Sequence, residues 1–328
     1  MHPHGLSGGY MKFWQPLAIP ALAGAILACM GSYALAQVGM PPNMGPPPDA
    51  PPPKTVASGP YAVTVATDPS LPTHTVYRPT DLDSFKGGKL PIVAWGNGGC
   101  INSGRAYERF LTKIASHGFL VIAIGPDNIP PPDLSGLKPG DPLPPLPPSA
   151  ISHASQLVDA IDWAIAQNSR AGSPYQGKLN PKAVAVMGQS CGGMQAIAVS
   201  RDPRVKTSVI WNSGVFNVPN GMAQATKDDL KSFHAPVAYF IGGPTDIAYA
   251  NAEDDFTRIE AVPVFNANLH VGHGGTYQQP NGGWFGEVAV AWLSWRLKAD
   301  EEAGKMFEGP KCGLCVDPAW TVKKKNMK

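Results

Sequence analysis

From Tyr61 onward, short apolar runs alternate with amphipathic stretches along the chain. Tyr61 to Thr67 and His74 to Arg78 read as strands. Pro91 opens a wholly apolar run, Ile92 to Trp95, of the kind found in a sheet covered on both faces. Residues 106 to 117 follow as a helix that Gly118 can cap, and Phe119 to Ile124 is the next buried strand. Ile151 to Ala166 has helical apolar spacing through Leu157, Val158, Ile161 and Ala164. Ala183 to Met187, Val205 to Ile210, Val237 to Ile241 and Val262 to Phe265 supply further strands, before a long helix from Phe285 to Ala299. Strand, helix, strand in this order predicts an α/β fold, a mainly parallel sheet with helices on both sides.

The ends of the chain break this pattern. Lys12 precedes an apolar stretch, Leu17 to Met30, and Ala34-Leu35-Ala36 before Gln37 is a signal-peptidase pattern. Residues 1–36 are therefore expected to be an export signal, with the mature chain secreted or periplasmic and not stably inserted in a membrane. Two other readings stay open. The stretch can be retained as an anchor, although Pro16, Pro20, Gly24 and Gly31 make it a poor spanning helix, and Leu27-Ala28-Cys29 resembles a lipoprotein box that would lipidate Cys29. Residues 37–59 are dense in proline and are expected to be a disordered linker. That leaves 60–308 as the folded domain and 309–328 as a C-terminal tail containing Cys312-Gly313-Leu314-Cys315. Its Lys323 to Lys325 run reads as a solvated chain end.

Composition narrows the possible partners. The chain has 328 residues, 43% hydrophobic and 15% charged, with 36 glycines and 36 prolines, enough for one large core and many loop residues. A formal charge of +2, with no Lys/Arg cluster interleaved with aromatics, argues against nucleic acid as a partner. Histidines and cysteines do not fall into metal-ligand spacing, since the Cys312/Cys315 pair lacks a second pair, so no cofactor is expected. The oligomeric state is not readable.

Candidate chemistry sits at the end of one strand. Ala183 to Met187 runs straight into Gly188-Gln189-Ser190-Cys191-Gly192-Gly193, followed by the helix-compatible Met194 to Val199. A strand-to-helix turn this sharp crowds the backbone on both sides of the serine, so glycines must flank it, and the turn lifts the hydroxyl clear of the sheet. Ser190 is thus the candidate nucleophile. The following helix points its positive end at the site, and the Cys191 amide is a candidate oxyanion donor.

Gly188 to Gly193, the Trp95-Gly96-Asn97-Gly98-Gly99 turn and the Gly272-His273-Gly274 turn together resemble the α/β-hydrolase superfamily. Within it, the secreted lipase, cutinase-like and dienelactone-hydrolase-like esterases are the most similar, over roughly residues 60 to 300. The resemblance implies an eight-stranded, mostly parallel sheet flanked by helices, and a Ser, Asp or Glu, His triad in that order. It points to His273 as the base, with His270 as the alternative, and to Asp246 as the acid, with Glu253, Asp254 and Asp255 as alternatives. It places the second oxyanion donor at the Asn97 amide, or else at Gly98. It also brings Cys100 and Cys191 to the same end of neighbouring strands, where a disulfide is expected; Cys312 and Cys315 would then pair with each other or stay free. The implied substrate is a small-molecule or polymeric ester. A serine peptidase or amidase, and a binding protein on the same scaffold, remain alternatives. The proline-dense loop Gly125 to Pro148 is a candidate wall or lid, and Trp95, Trp211, Tyr249 and Trp284 either line an apolar pocket or pack in the core.

Overall fold

A computed structural model describes residues 47–327 apart from 55, 84, 86, 87, 131–149 and 219–223. The expected export signal with Cys29, the start of the linker and most of the 125–148 loop lie outside the described residues.

The strands are β1 Val63–Ala66, β2 His74–Pro79, β3 Leu90–Gly96, β4 Leu120–Ile124, β5 Leu179–Gln189, β6 Val205–Trp211, β7 Val237–Ile241, β8 Val264–Leu269 and β9 Trp320–Lys325. They form one sheet in the order β1-β2-β4-β3-β5-β6-β7-β8-β9. Strands β3 to β8 pair in parallel. β1 and β2 at one edge and β9 at the other run antiparallel to their neighbours. The main helices are α1 Glu108–Ser116, α2 Ser155–Ser169, α3 Cys191–Val199, α4 Tyr249–Arg258 and α5 Gly283–Lys298. This is an α/β-hydrolase fold.

Two hydrophobic cores, one on each face of the sheet, explain the unbroken apolar strands. Along β3, Ile92 and Ala94 enter the core that holds Leu157, Ile161 and Ile197, while Val93 and Trp95 enter the core that holds Phe110, Phe285 and Trp292. Side chains alternate with period two, so a strand covered on both sides must be apolar at every position.

Three expectations change. The sheet has nine strands among the described residues, not eight, because the closing segment adds β9 beside β8. The Lys323–Lys325 run therefore lies in an edge strand rather than a solvated end. Trp320 turns into the core, while Lys323 pairs with Glu253 and Lys325 Nζ donates to the Phe256 carbonyl at 2.7 Å. Lysines on an edge strand also discourage pairing with a further chain. The described part of the proline-dense stretch, expected as a disordered linker, lies against α1 and α5. Trp284 Nε1 donates to the Pro52 carbonyl at 3.1 Å and Asn281 Nδ2 to that of Val56 at 2.8 Å, and Lys54 Nζ sits 4.4 Å from the Trp284 ring centre. Prolines lack amide donors but keep their carbonyls, which these side chains satisfy.

Candidate active site

The site is built at the C-terminal ends of the parallel strands. β5 ends at Gln189 and α3 starts at Cys191, so Ser190 alone makes the turn, with φ 53° and ψ −115°. Such a backbone costs on the order of 1–3 kcal/mol and needs support from its surroundings. That support leaves no room for side chains on either flank: a Cβ at Gly188 would lie 2.3 Å from the Gly192 carbonyl oxygen, and one at Gly192 would lie 2.0 Å from that of Gly96. Ser190 N donates to the Trp211 carbonyl at 3.0 Å, and Ser213 Oγ donates to the Ser190 carbonyl at 2.6 Å. The turn is tied to the end of β6 from both directions.

The segment after β8 brings a histidine to this serine. Val271 N and Gly272 N donate to the Gly242 carbonyl at 3.1 and 2.8 Å, which pins the loop to the end of β7. Gly242 has to be glycine there, since a Cβ would meet the Gly272 oxygen at 1.9 Å. His273 is then held with Nε2 3.0 Å from Ser190 Oγ and Nδ1 2.6 Å from Asp246 Oδ1. With Asp246 ionised, Nδ1–H donates to it, leaving Nε2 to accept from Ser190.

Asp246 and His273 are both buried. The Asp246 carboxylate also accepts from Asn212 Nδ2 at 2.7 Å, Gly242 N at 2.9 Å and Ala248 N at 2.9 Å. Burial pushes the pKa of this carboxyl up, but the hydrogen bond and charge of His273, then the two amides, outweigh it and hold the group below its ordinary range.

The alternatives are engaged elsewhere. His270 sets Nδ1 3.2 Å from Asp49 Oδ2. The acidic run lies inside α4. There Glu253 Oε1 accepts from Asn266 Nδ2 at 3.0 Å, Asp254 accepts from Arg258 Nε at 2.7 Å, and Asp255 pairs with Lys227 Nζ at 2.6 Å.

Asn97 is fully buried between the two turns. Its carbonyl accepts from Gly192 N at 3.0 Å, joining the turn after β3 to the first turn of α3. Its side-chain amide donates to the carbonyls of Ile101, Ser103 and Ile124, and its Oδ1 accepts from Trp95 Nε1 at 2.9 Å. The residue singled out for its amide thus also holds the turn in shape through its side chain. Cys100 and Cys191 are joined by a disulfide, with Cα atoms 5.3 Å apart, and Cys312 is joined to Cys315.

Sequence reasoning missed three groups. Asn212 adopts φ 40°, a left-handed conformation that asparagine tolerates, and gives its amide to Asp246 and to the Gly272 carbonyl. Its Oδ1 in turn accepts from the Tyr277 hydroxyl. Gln189 Nε2 donates to the His273 carbonyl at 3.2 Å, and Gln189 Oε1 accepts from Tyr107 at 2.7 Å. A polar residue at or just past the end of an apolar strand, as at Gln189 and Asn212, is the signal that would have found two of them. Tyr277 gives no such signal, because only folding brings it near. Trp95 and Trp211 are fully buried in the core rather than walls of a pocket. Ile129, Val218 and Ile247 are exposed apolar side chains, on loops that leave the ends of β4, β6 and β7.

Among the described residues no helix is long and apolar enough to cross a membrane. No family model matches the chain. Over 98 residues it is 33% identical to chlorophyllase-1, chloroplastic, of Citrus unshiu, and equally to the protein of the same name from Citrus sinensis. The match covers 30% of this chain and 25% of each relative, so the chain spans about a quarter of the length of the curated relatives it is similar to.

Proposed function

We propose that this protein is a serine hydrolase that cleaves carboxylic esters through an acyl-enzyme. The observation that carries the reading is the buried chain of contacts from Asp246 through His273 to Ser190, at 2.6 and 3.0 Å. His273 Nε2 takes the Ser190 proton as Oγ attacks the carbonyl carbon. Asp246 holds the imidazole in the required tautomer and offsets the positive charge that develops on it. The Asn97 and Cys191 amides are the proposed donors to the oxyanion, each donor being worth roughly 3 kcal/mol of transition-state stabilisation. His273 then gives its proton to the leaving alcohol, and water repeats the sequence to release the acid.

The partial likeness to two chlorophyllases supports an esterase-type hydrolase. The exposed Ile129, Val218 and Ile247, on loops flanking Ser190 along the sheet, support a substrate with an apolar portion. Two disulfides support a mature protein in an oxidising compartment, consistent with an export signal over residues 1–36.

The test pairs p-nitrophenyl esters with anilides of the same acyl chain, and adds a fluorophosphonate probe. The reading expects ester turnover well above anilide turnover, and covalent labelling lost in Ser190→Ala. Anilide turnover equal to that of the ester would make it an amidase. Labelling that persists in the variant would remove Ser190 as the nucleophile.

A further inference from the structure

The Cys100–Cys191 disulfide joins the two turns that carry the proposed oxyanion donors. Cys191 directly follows Ser190 and is the first residue of α3; Cys100 ends the short helical turn 98–100 that follows Asn97. We propose that this disulfide is a positioning element of the oxyanion site, setting the separation of the two donor amides, and that full turnover requires the bond to have formed. The proposal rests on the hydrolase reading.

Backbone strain lies on both sides of the bridge. Ser190 has φ 53°, and on the other turn Gly99 and Cys100 have φ 61° and 52°. Left-handed backbone at non-glycine residues persists only where the surroundings over-determine it. Beyond the β3–β5 pairing that ends at Gly96 and Gly188, the backbone bond that ties the two turns without the bridge is the 3.0 Å hydrogen bond from Gly192 N to the Asn97 carbonyl. That bond alone holds the turns beyond their strands, and an oxyanion donor works only within about 2.7–3.1 Å of the developing charge. A misplacement of about 1 Å at a reacting centre costs on the order of 100-fold in rate.

The bridge also locks the next segment. The Cys100 carbonyl accepts from Ser152 N at 2.7 Å, and Ser152 in turn accepts from Gln195 Nε2 of α3 at 3.0 Å, closing a ring of contacts around the Cys191 turn. Both cysteines are only 1% exposed, so a thiol cannot reach the bond in the folded protein. The bond is therefore made once, during folding. Two thiols exchange with a disulfide oxidant, which takes up two electrons and the two protons and is reduced to its dithiol, leaving the Cys100–Cys191 bond. The Cys312–Cys315 bond, three residues apart and joined to neither turn, provides an internal control.

The experiment uses the full chain with Cys100 altered, so that the Cys191 amide keeps its residue. Wild type, Cys100→Ala, Cys100→Gly and the Cys312→Ala/Cys315→Ala double variant are compared below their melting temperatures, on one ester and on an alkylboronic acid that forms a tetrahedral adduct with serine. Cys100→Gly removes the positive-φ cost and stands in if the alanine variant does not fold. The expected result is a 10- to 100-fold fall in kcat for the Cys100 variants, with KM within about twofold and boronate affinity falling in proportion to kcat/KM. The Cys312/Cys315 variant should keep wild-type kcat. Cys100 variants with a lowered Tm but unchanged kcat and boronate affinity would overturn the proposal, leaving the bond a stabiliser only. A wild type that neither turns over esters nor binds boronate would overturn the hydrolase reading instead, and this proposal with it.

Discussion

Asp246 keeps its charge in a buried place because an imidazole, two backbone amides and the Asn212 side chain all donate to it. At the residue scale this separates machinery from support. Ser190→Ala and His273→Ala should each lower kcat by about 10⁶, and Asp246→Asn by about 10⁴, whereas His270→Ala should change it less than about threefold. Steady-state ester kinetics check this, and the reverse order for the two histidines would reassign the base. Asn212→Ala removes a donor to Asp246 and leaves the Tyr277 hydroxyl without its acceptor. A lost buried hydrogen bond of this kind costs about 1–3 kcal/mol, so kcat should fall roughly 10- to 100-fold, with the ester KM little changed. Equal losses in kcat and in labelling by a small, unselective fluorophosphonate would show that the effect lies at the nucleophile rather than in substrate binding.

At the scale of elements, the C-terminal cap of α1 and the start of β2 each carry a histidine whose burial makes the fold sensitive to acid. Burial first, then the nearby Lys113 and Lys298 charges, lower the His117 pKa from 6.5 to about 4. Burial likewise lowers that of His74, against the carbonyl of Gln156 and the charge of Asp159. The unfolded chain therefore binds protons that the folded one refuses. This stability is complete above about pH 6.5 and is lost as the pH falls towards 4. Asp255 works in the opposite sense, because burial pushes it up to about 6 despite Lys227, so its protonation favours the folded state as pH falls below that value. Melting temperatures taken from pH 7.5 to 4 should fall less steeply for His117→Gln than for the wild type, since the amide can still accept from Lys113 but cannot charge. Parallel curves would remove His117 from the account.

For the whole molecule, closure matters at two points. The Cys100–Cys191 bond spans 91 residues, which in the chain-entropy account is worth about 4–5 kcal/mol, against about 2 kcal/mol for the three-residue span of Cys312–Cys315. Breaking the first should therefore lower Tm further than breaking the second, as a thermal scan of the two variants would read. Strand β9 closes the sheet differently. Removing residues 320–328 strips the outer partner from Val264–Leu269 and takes Trp320 from the core. An unprotected six-residue edge is a template for another chain, so the truncated protein should be recovered as aggregate or oligomer in size-exclusion chromatography.

Local pattern determined the parallel sheet, since apolar runs such as Ile92 to Trp95 suit only a strand covered on both faces. It also determined that Ser190 lies on a strand-to-helix turn, because the crowding that excludes side chains at Gly188 and Gly192 acts between near neighbours. What stands beside that serine was decided only by folding. His270 and His273 are three residues apart on one loop, and the backbone bonds to Gly242 turn one of them towards Ser190 and the other towards Asp49. Asn212 and Tyr277 meet across 65 residues of chain. The strand status of Trp320–Lys325 likewise came from β8, whose open edge supplies hydrogen-bond partners that the lysine-rich segment does not contain in its own sequence.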